Sequence, residues 1–410
     1  MPAPAPALSA TLHACAVATL ALAATLAAAL ARADGTPGNV DTGIRPGQCY
    51  GSGSNALVRC DLADLGGQDG QLGRDTYPDT DKSSDGLLGL AFVRLCNDGE
   101  VAGKGLCPKA PALGDGAHDW GCVQDKVTGI MWEVKTTGGL RGRDLRYTNY
   151  SPQYDPLGEY GSHTDATGYV ADVNATNLCG FHDWGLAHTA KIQTILSYGV
   201  TGATSPRIDP AFFPNTQADW YWNASPNHTA KNTAFAVNFA DGSVDNAADR
   251  ATLRHAQVIR NAKQVVGPNG QYEISPDGTE AKDTTLTAVL VWRRCVEGMA
   301  WDGSTCTGTP LTFTHEEALQ HAAQQAAVAG VAWRVPSVKE LNWIVDREEP
   351  APPIKHFVFP NTPGQPTWTS SPEVRKPKQA WAIDFSAGLV LQHARSERLV
   401  LRLARDADAP

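Results

Sequence analysis

The sequence predicts an α+β protein made of two copies of one module, because strand signals, helix signals and an internal repeat occur together. The segments 234–239 and 380–385 alternate large and small side chains, and each runs into a glycine-containing turn, as half-buried hairpin strands do. The sequence THEE at 314–317 has the form of a capping box and opens an alanine-rich helix. A second short helix is predicted after Pro336.

The repeat is marked by the tetrapeptide FPNT, which occurs at 213–216 and again at 359–362. Seven residues from the asparagine lead to Trp222 in one copy and to Trp368 in the other, and four more lead to a proline in both. Thirteen residues beyond each tryptophan, FAVNF in the first copy is matched by WAIDF in the second. Three spacings kept in succession indicate a duplicated module.

The repeat and the composition divide the chain into four parts. We predict a signal peptide at 1–33, a Gly/Asp-rich, disulfide-rich irregular region at 34–117, a first module at 118–296 and a second module at 297–406. The start of the second module rests on the similarity of GIMW at 129–132 to GMAW at 298–301. A stretch near 261–283 that is rich in Gly, Pro, Asn and Asp is predicted to be a surface loop inserted in the first module.

The N-terminal residues predict export. Residues 8–30 are almost entirely Ala, Leu, Val and Thr, and Ala31-Arg32-Ala33 follows as a small-x-small cleavage pattern. The segment before this run carries no Lys or Arg, so an uncleaved N-terminal anchor is the alternative. No other stretch approaches the ~20 apolar residues that a membrane-spanning helix needs. We therefore expect a periplasmic or cell-surface protein with no transmembrane anchor after signal cleavage.

The cysteines predict disulfides. Removal of Cys15 with the signal peptide leaves eight of the nine cysteines, and three neighbouring pairs are eleven positions apart. Zinc-type CxxC spacings are absent from the sequence and exported proteins fold in an oxidising compartment, so small-loop disulfides explain the spacing best. By elimination, Cys122 and Cys179 remain as a fourth pair, although eight cysteines allow many connectivities. The three spaced pairs are Cys49 with Cys60, Cys96 with Cys107, and Cys295 with Cys306.

Several motifs resemble those of one known family. VTGIMWE at 127–133 looks like its TGLMWE signature, and WRVP at 333–336 followed by KEL at 339–341 looks like its WRLP-x-x-KEL signature. Other similar elements are the FPN steps, WTSS at 368–371 and RCV at 294–296. From about residue 118 to 405 the chain thus resembles two degenerate copies of the Lcl domain, the C-terminal domain of the Legionella collagen-like adhesin.

This resemblance implies a C-type-lectin-like fold for each module and a bacterial surface protein that binds a ligand. The best-known member of the family binds sulfated glycosaminoglycans, whereas the net charge of -9 opposes polyanion binding by the whole chain. The same fold includes the sulfatase-modifying enzymes, which implies an enzymatic alternative. The first copy departs from the family at 184–187, where WGLA replaces WRLP, and the second at 402–404, where RLA replaces RCV.

A basic segment near the C-terminus supplies the candidate ligand site. Between residues 371 and 405 there are seven bases and three acids, which is typical either of a polyanion site or of a solvated face. The repeat tryptophans either stack on sugar rings or build the core. The candidate ligand-binding residues are Arg375, Lys376, Lys378, Arg395, Arg398, Trp222 and Trp368.

The sequence offers no constellation for catalysis. It has no GxSxG or SxxK motif, no EPN, QPD or WND calcium-lectin motif, and an acidic run at 79–85 lacks the Gly and Glu of an EF-hand loop. We expect no metal, no cofactor, no nucleic-acid partner and no enzymatic activity. The favoured hypothesis is an exported adhesin-like envelope protein that contacts a glycan, a polyanionic polysaccharide or an envelope protein. The alternatives are a sulfatase-modifier-like enzyme and a structural component of a surface assembly.

Overall fold

The computed structural model describes residues 41–72, 88, 90–126, 129–228, 230–261, 272–284 and 289–407, all within one compact unit that spans 37–410. The signal peptide, the acidic run at 79–85 and the middle of the predicted loop at 261–283 lie outside the described residues. The fold is α+β, as the sequence predicts, and consists mostly of antiparallel sheet with a few short helices.

The helices begin where the sequence places capping residues. The predicted capping box at 314–317 is confirmed, since Thr314 and Glu317 exchange side-chain-to-backbone hydrogen bonds, and Gly330 ends this helix in the left-handed conformation. Ser337 and Glu340 form a second capping box after Pro336. The described α-helices are α1 (Ala166–Ala175), α2 (Thr189–Ile192), α3 (His315–Ala329) and α4 (Val338–Trp343). Single 3-10 turns occur at Cys60–Leu62, Asp69–Gln71, Leu178–Gly180 and Gln193–Ile195.

The strands form three larger sheets and two hairpins. The strands before and within the first repeat are β1 (Cys49–Tyr50), β2 (Leu57–Val58), β3 (Phe92–Cys96), β4 (Trp120–Asp125), β5 (Ile130–Glu133), β6 (Gly185–Leu186), β7 (Trp220–Trp222), β8 (Thr233–Asn238), β9 (Val244–Asp249), β10 (His255–Ala256) and β11 (Val258–Asn261). The later strands are β12 (Tyr272–Ile274), β13 (Glu280–Asp283), β14 (Leu290–Arg293), β15 (Met299–Trp301), β16 (Cys306–Gly308), β17 (Thr312–Phe313), β18 (Pro366–Pro372), β19 (Gln379–Asp384), β20 (Leu389–Ala394), β21 (Leu399–Val400) and β22 (Ala404–Asp406).

One nine-stranded sheet runs through both repeats in the order β10-β7-β8-β9-β20-β19-β18-β21-β17. Its two halves meet where Val244 of β9 pairs with Val390 of β20 in antiparallel register. These two valines are repeat-equivalent, and equivalent residues pair with each other in this way only about a twofold axis. The registers agree, since Trp222 pairs with Ala236 in one half and Trp368 with Ala382 in the other. The two repeats are therefore joined like the subunits of a symmetric dimer.

The remaining sheets flank this central sheet. One has the order β3-β4-β5-β11-β6, another has the order β12-β13-β14-β22, and β1-β2 and β15-β16 are isolated pairs. Trp132 on β5 pairs with Ile259, and Trp292 on β14 pairs with Ala404, so β14 occupies in the second repeat the place that β5 has in the first. The sequence prediction assigned that place to 298–301, which instead pairs with β16. The described ends of the predicted loop at 261–283 also form strands, since β12 and β13 make a hairpin.

The core is continuous across the two repeats. Its largest cluster contains Trp132, Phe213 and Phe235 from the first repeat together with Phe359 and Trp381 from the second, all at most 3% exposed. Burying such aromatic side chains stabilises a fold by roughly 1.5–3 kcal/mol each. Beside this shared cluster each repeat has a smaller one, around Trp222 in the first repeat and around Trp368 in the second.

All four predicted disulfides are present in the structure. Cys49–Cys60, Cys96–Cys107 and Cys295–Cys306 close eleven-residue separations, and Cys122–Cys179 closes one of 57. The last bridge joins β4 to the turn after α1 and so fixes that helix to its sheet.

The region before the first repeat divides between the two repeats. Residues 41–72 contact both repeats. The Tyr50 hydroxyl donates to the Gln379 carbonyl and Gly53 N donates to the Glu316 carboxylate of the second repeat, and the Gln48 side-chain amide donates to the Gly199 carbonyl of the first. The strand β3 instead pairs with β4 and extends the sheet of the first repeat. The region is therefore less irregular than predicted, because β3 finds an open sheet edge to join.

Candidate ligand cleft between the two repeats

The family-like motif residues of the second repeat hold the fold together. The Arg334 guanidinium makes two hydrogen bonds to the Glu340 carboxylate at 2.7 and 2.8 Å, and both side chains are buried. The Val338 amide at the start of α4 donates to the Ser371 hydroxyl at 2.9 Å. The ion pair holds α4 to the segment that precedes it, and the Val338 contact attaches α4 to β18. In the first repeat, the equivalent positions carry Gly185 and Lys191, so the ion pair is absent there.

The two tryptophans predicted as ligand contacts are fully buried. Trp222 and Trp368 are each 0% exposed, and their indole N–H groups donate to the carbonyls of Tyr147 and Phe313 at 2.7 Å. An indole with both faces packed and its donor satisfied offers no surface for stacking on a sugar. Of the two roles that the sequence suggests for these tryptophans, stacking on sugars or building the core, the structure shows a core position.

Two of the predicted basic residues are committed to internal contacts. The Arg395 guanidinium lies 3.6 Å from the centre of the Tyr50 ring and donates to the Ser54 carbonyl at 2.6 Å. The Arg375 guanidinium donates to the carbonyls of Val200 and Ser205, at 3.0 and 2.8 Å, and to that of Ala240. Both side chains therefore connect separate parts of the fold.

The other three predicted bases are exposed. Lys376 donates to the Gln392 side chain at 3.0 Å, and Lys378 is solvated. Arg398 forms an ion pair with Glu317 at 2.7 Å. The structure thus does not bring the seven predicted residues together in one site, and a ligand-contact role for the three exposed bases stays a prediction.

The twofold relation creates two equivalent contacts, in each of which a loop of one repeat packs on the sheet end of the other. One contact is filled by side chains, and we name it the filled joint, which comprises Tyr198, Arg207, Glu373, Arg375 and Trp381. The other contains a cleft, and we name it the open joint, which comprises Arg347, Asn227, His228, Phe235, Asn246 and Glu349 with the surrounding prolines and alanines.

In the filled joint, a buried ion pair crosses from one repeat to the other. The Nη2 atom of Arg207 lies 2.6 and 2.8 Å from the two carboxylate oxygens of Glu373, and both side chains are at most 1% exposed. The guanidinium lies 5.7 Å from the centre of the Trp381 ring and its Nη1 donates to the Tyr198 carbonyl. Arg375 then closes the space beside this pair through its three carbonyl contacts. The charges of Arg207 and Glu373 thus compensate each other inside the molecule.

In the open joint, Arg347 takes the place that Tyr198 has in the filled joint. Tyr198 donates to the Gly242 carbonyl and packs 5.0 Å from Trp381, whereas Arg347 donates to the equivalent Gly388 carbonyl and lies 5.3 Å from Phe235. Both rings are repeat-equivalent, since Phe235 and Trp381 stand thirteen residues after the repeat tryptophans. Each joint therefore contains a guanidinium over the same aromatic position.

The cleft of the open joint has a volume of about 130 Å³. Its polar wall consists of Asn227, His228, Asn246, Arg347, Glu349 and Ser386. Its apolar wall consists of Pro226, Phe235, Pro350, Ala351, Pro353 and Ala387. A small concave site with an apolar body and few convergent polar groups is the usual form of a ligand-binding pocket.

Arg347 brings an unneutralised charge to this cleft. Its side chain is 6% exposed, its Nη2 bonds to the Asn342 side chain at 3.0 Å and to Gly388, and among the described residues its buried Nε has no hydrogen-bond acceptor. No carboxylate of the described residues lies within ion-pair distance of it, and the neighbouring Asp346 pairs with Lys355 at 3.3 Å. Burial lowers the pKa of Arg347 to about 9, while the Asp346 charge acts in the opposite direction. At neutral pH the cleft thus contains a buried cation.

The sequence did not lead to this site because only the residues that are similar in the two repeats were compared, and the site lies where the repeats differ. When the two FPNT copies are aligned, Asn227 of the first repeat is equivalent to Glu373 of the second, and Pro353 of the second repeat is equivalent to Arg207 of the first. These two substitutions remove the charge pair from one joint, and they are the signal that locates the cleft.

Comparison with known proteins identifies the class of domain. The model of the Lcl C-terminal domain matches residues 121–260 and 283–405, which together make up more than half of the chain. The chain belongs to the Lcl C-terminal domain family and carries two copies of its domain. The second match includes β14, which the sequence prediction assigned to the first module. No curated protein and no solved structure gave a match.

Metal-binding clusters and membrane-spanning helices are both absent from the described residues. Within them, no group of three or more His, Cys, Asp and Glu side chains is arranged to hold a metal ion. In the same part of the chain, no helix combines the length and apolarity that crossing a bilayer requires.

Proposed function

We propose that the protein is an exported, non-enzymatic binding protein of the bacterial envelope, and that the open joint is its contact site for a surface polymer such as a glycan. The observation that carries this proposal is the cleft that the buried cation Arg347 lines together with an apolar wall, with no carboxylate of the described residues within ion-pair distance of its guanidinium. A C-type-lectin-like fold of each repeat is part of the proposal and agrees with the mixture of short helices and antiparallel strands.

The rigidity of the joint supports a binding role. The two repeats share one sheet and one core, so the walls of the cleft come from two repeats that are held in fixed relation. A preorganised site loses less entropy when it binds a ligand than a mobile one does. The four disulfides support an exported location, since such bonds persist in oxidising compartments.

An enzyme of the sulfatase-modifier type needs reactive thiols. Each of the eight cysteines in the described residues is bonded to another, so none of them offers a thiolate for such chemistry. This favours the binding proposal over the enzymatic alternative.

The proposal is tested by probing arrays of bacterial-envelope polysaccharides, sulfated glycans and neutral glycans with the protein purified after export. We expect binding that is reduced at least about tenfold by Arg347→Met, since hydrogen bonds to a charged group contribute roughly 1.5–3 kcal/mol. The matched control is Lys104→Met, which removes an exposed cation outside both the cleft and the predicted ligand-binding residues and should leave binding unchanged. Absence of binding to any array component, or equal binding by wild type and Arg347→Met, overturns the proposal.

A further inference from the structure

The filled joint shows which group this fold places against a guanidinium that lies over the repeat-equivalent aromatic ring, Trp381 or Phe235. There, the carboxylate of Glu373 bonds to Arg207 beneath the ring of Trp381. In the open joint the guanidinium and the ring are both present, but the carboxylate is replaced by the amide of Asn227. We propose that the open joint binds the carboxylate group of a ligand against Arg347, in the role that Glu373 has in the filled joint. This inference rests on the proposed function, because it names the class of ligand for the same site.

The amide of Asn227 does not replace the missing charge. Its Nδ2 donates to the Thr233 hydroxyl and to the Asn246 carbonyl, each at 2.7 Å, so its donor end is engaged within the first repeat. An amide is also neutral and cannot balance the Arg347 charge. Taking a guanidinium out of water is costly unless an anion compensates it. A bound carboxylate supplies that compensation.

The volume of the cleft limits the size of the bound group. A cavity of about 150 Å³ holds a molecule of the size of benzene, so the cleft of about 130 Å³ has room for a group of roughly five or six non-hydrogen atoms. This space accommodates a carboxylate with two or three carbons, and the apolar wall of Pro226, Phe235 and Pro353 suits those carbons. A whole oligosaccharide does not fit. The ligand group is therefore the acidic substituent or the acidic end of a larger molecule.

The charges around the cleft favour a single negative charge. Arg347 is the buried cation of the cleft, and Glu349 contributes a partly exposed carboxylate to the rim. A doubly charged phosphate would leave one charge unbalanced and would be repelled more strongly by Glu349. A carboxylate matches the charge of Arg347 one to one.

The experiment is a calorimetric titration of the exported protein with propionate at constant ionic strength. Propionamide serves as the neutral analogue of the same shape, and phosphate and methyl sulfate serve as the other anions. We expect saturable binding of propionate, no binding of propionamide, and weaker binding of the other two anions. Arg347→Met should abolish propionate binding, while Lys104→Met should leave it unchanged.

Two variants separate the carboxylate role from a general loss of folding. Asn227→Glu places an internal carboxylate where the second repeat has Glu373, so it should raise the unfolding temperature and prevent propionate binding. Glu349→Gln removes the repelling charge and should tighten propionate binding about twofold to fivefold, the range of an exposed charge pair. Unchanged propionate binding in Asn227→Glu overturns the inference.

The inference and the proposed function fail in different ways. If array polymers lose binding in Arg347→Met but propionate binds no better than propionamide, the proposed function stands and the carboxylate inference is wrong. Stronger binding of methyl sulfate or phosphate than of propionate also overturns the inference. If neither polymer nor propionate binding depends on Arg347, both are wrong.

Discussion

The filled joint and the open joint occupy equivalent places about the twofold axis, yet only one of them is internally complete. In the filled joint, Arg207 and Glu373 neutralise each other and Arg375 occupies the adjoining space. In the open joint, Arg347 has no such partner among the described residues, and a cleft remains. A duplicated contact can thus keep its internal ion pair in one copy and lose it in the other.

The largest expected effect comes from breaking the ion pair of the filled joint. Glu373→Gln leaves Arg207 buried without a counter-charge, so the free energy of unfolding should fall by about 3–5 kcal/mol. Urea denaturation of wild type and variant measures this loss. The double variant Arg207→Met with Glu373→Gln should recover most of it, because the uncompensated charge is gone. A loss below about 1 kcal/mol in the single variant would show that the joint does not depend on the pair.

A second test compares equivalent helix positions of the two repeats. Glu340→Gln should lower the free energy of unfolding by about 2–3 kcal/mol, because Arg334 is then left with the more distant Asp406 at 3.1 Å. The matched variant in the first repeat is Lys191→Gln, which breaks no ion pair and should change stability by less than about 0.5 kcal/mol. Equal losses in both variants contradict the assignment of the motif to a structural role in the second repeat.

The repeats should also differ in their response to acid. His315 begins α3 in the second repeat, where Ala166 begins α1 in the first. Its Nδ1 accepts from Arg395 and its Nε2 donates to the Thr369 carbonyl, so the ring is neutral. Burial, followed by the Arg395 charge, lowers the pKa of His315 from 6.5 to about 3.

As the pH falls below about 6.5, the unfolded chain therefore takes up a proton that the folded chain does not. The stability associated with His315 is complete above pH 6.5 and decreases toward pH 3, by up to about 2 kcal/mol at pH 5. Denaturant titrations of wild type and His315→Phe from pH 7.5 to 5 measure this difference, which should shrink on acidification. If the stability difference between wild type and His315→Phe stays constant with pH, His315 takes up its proton over the same pH range in the folded and the unfolded protein.

The smallest effect on stability is expected at the open joint. Arg347→Met removes two hydrogen bonds but also removes a buried charge without a counter-ion, so the free energy of unfolding should change by no more than about 1 kcal/mol. Chemical denaturation of wild type, Arg347→Met and Glu373→Gln measures the three free energies of unfolding for this comparison. A loss as large as that at the filled joint would mean that Arg347 serves the fold and not a ligand.

The sequence predicted those parts of the fold that are set by local or covalent patterns. The capping box at Thr314, the strands after the two repeat tryptophans and three of the four disulfides depend on spacings that are visible along the chain, and the fourth disulfide follows from them by elimination. The place of β14 in the second repeat was not predicted, because it depends on pairing with β22 more than 100 residues away. The candidate site was not predicted for a similar reason, since whether Arg375 or Trp368 faces solvent is decided by residues from the other parts of the fold.

The most direct measurement is a crystal structure of the exported protein with propionate bound. We predict the carboxylate in the open joint, with an oxygen about 3 Å from Nη1 of Arg347 and the carbons against Phe235. The filled joint should contain no propionate, because Glu373 occupies the equivalent position. An open joint that holds only water at saturating propionate, or propionate bound only elsewhere, would contradict the claim that a ligand carboxylate binds to Arg347 in this cleft.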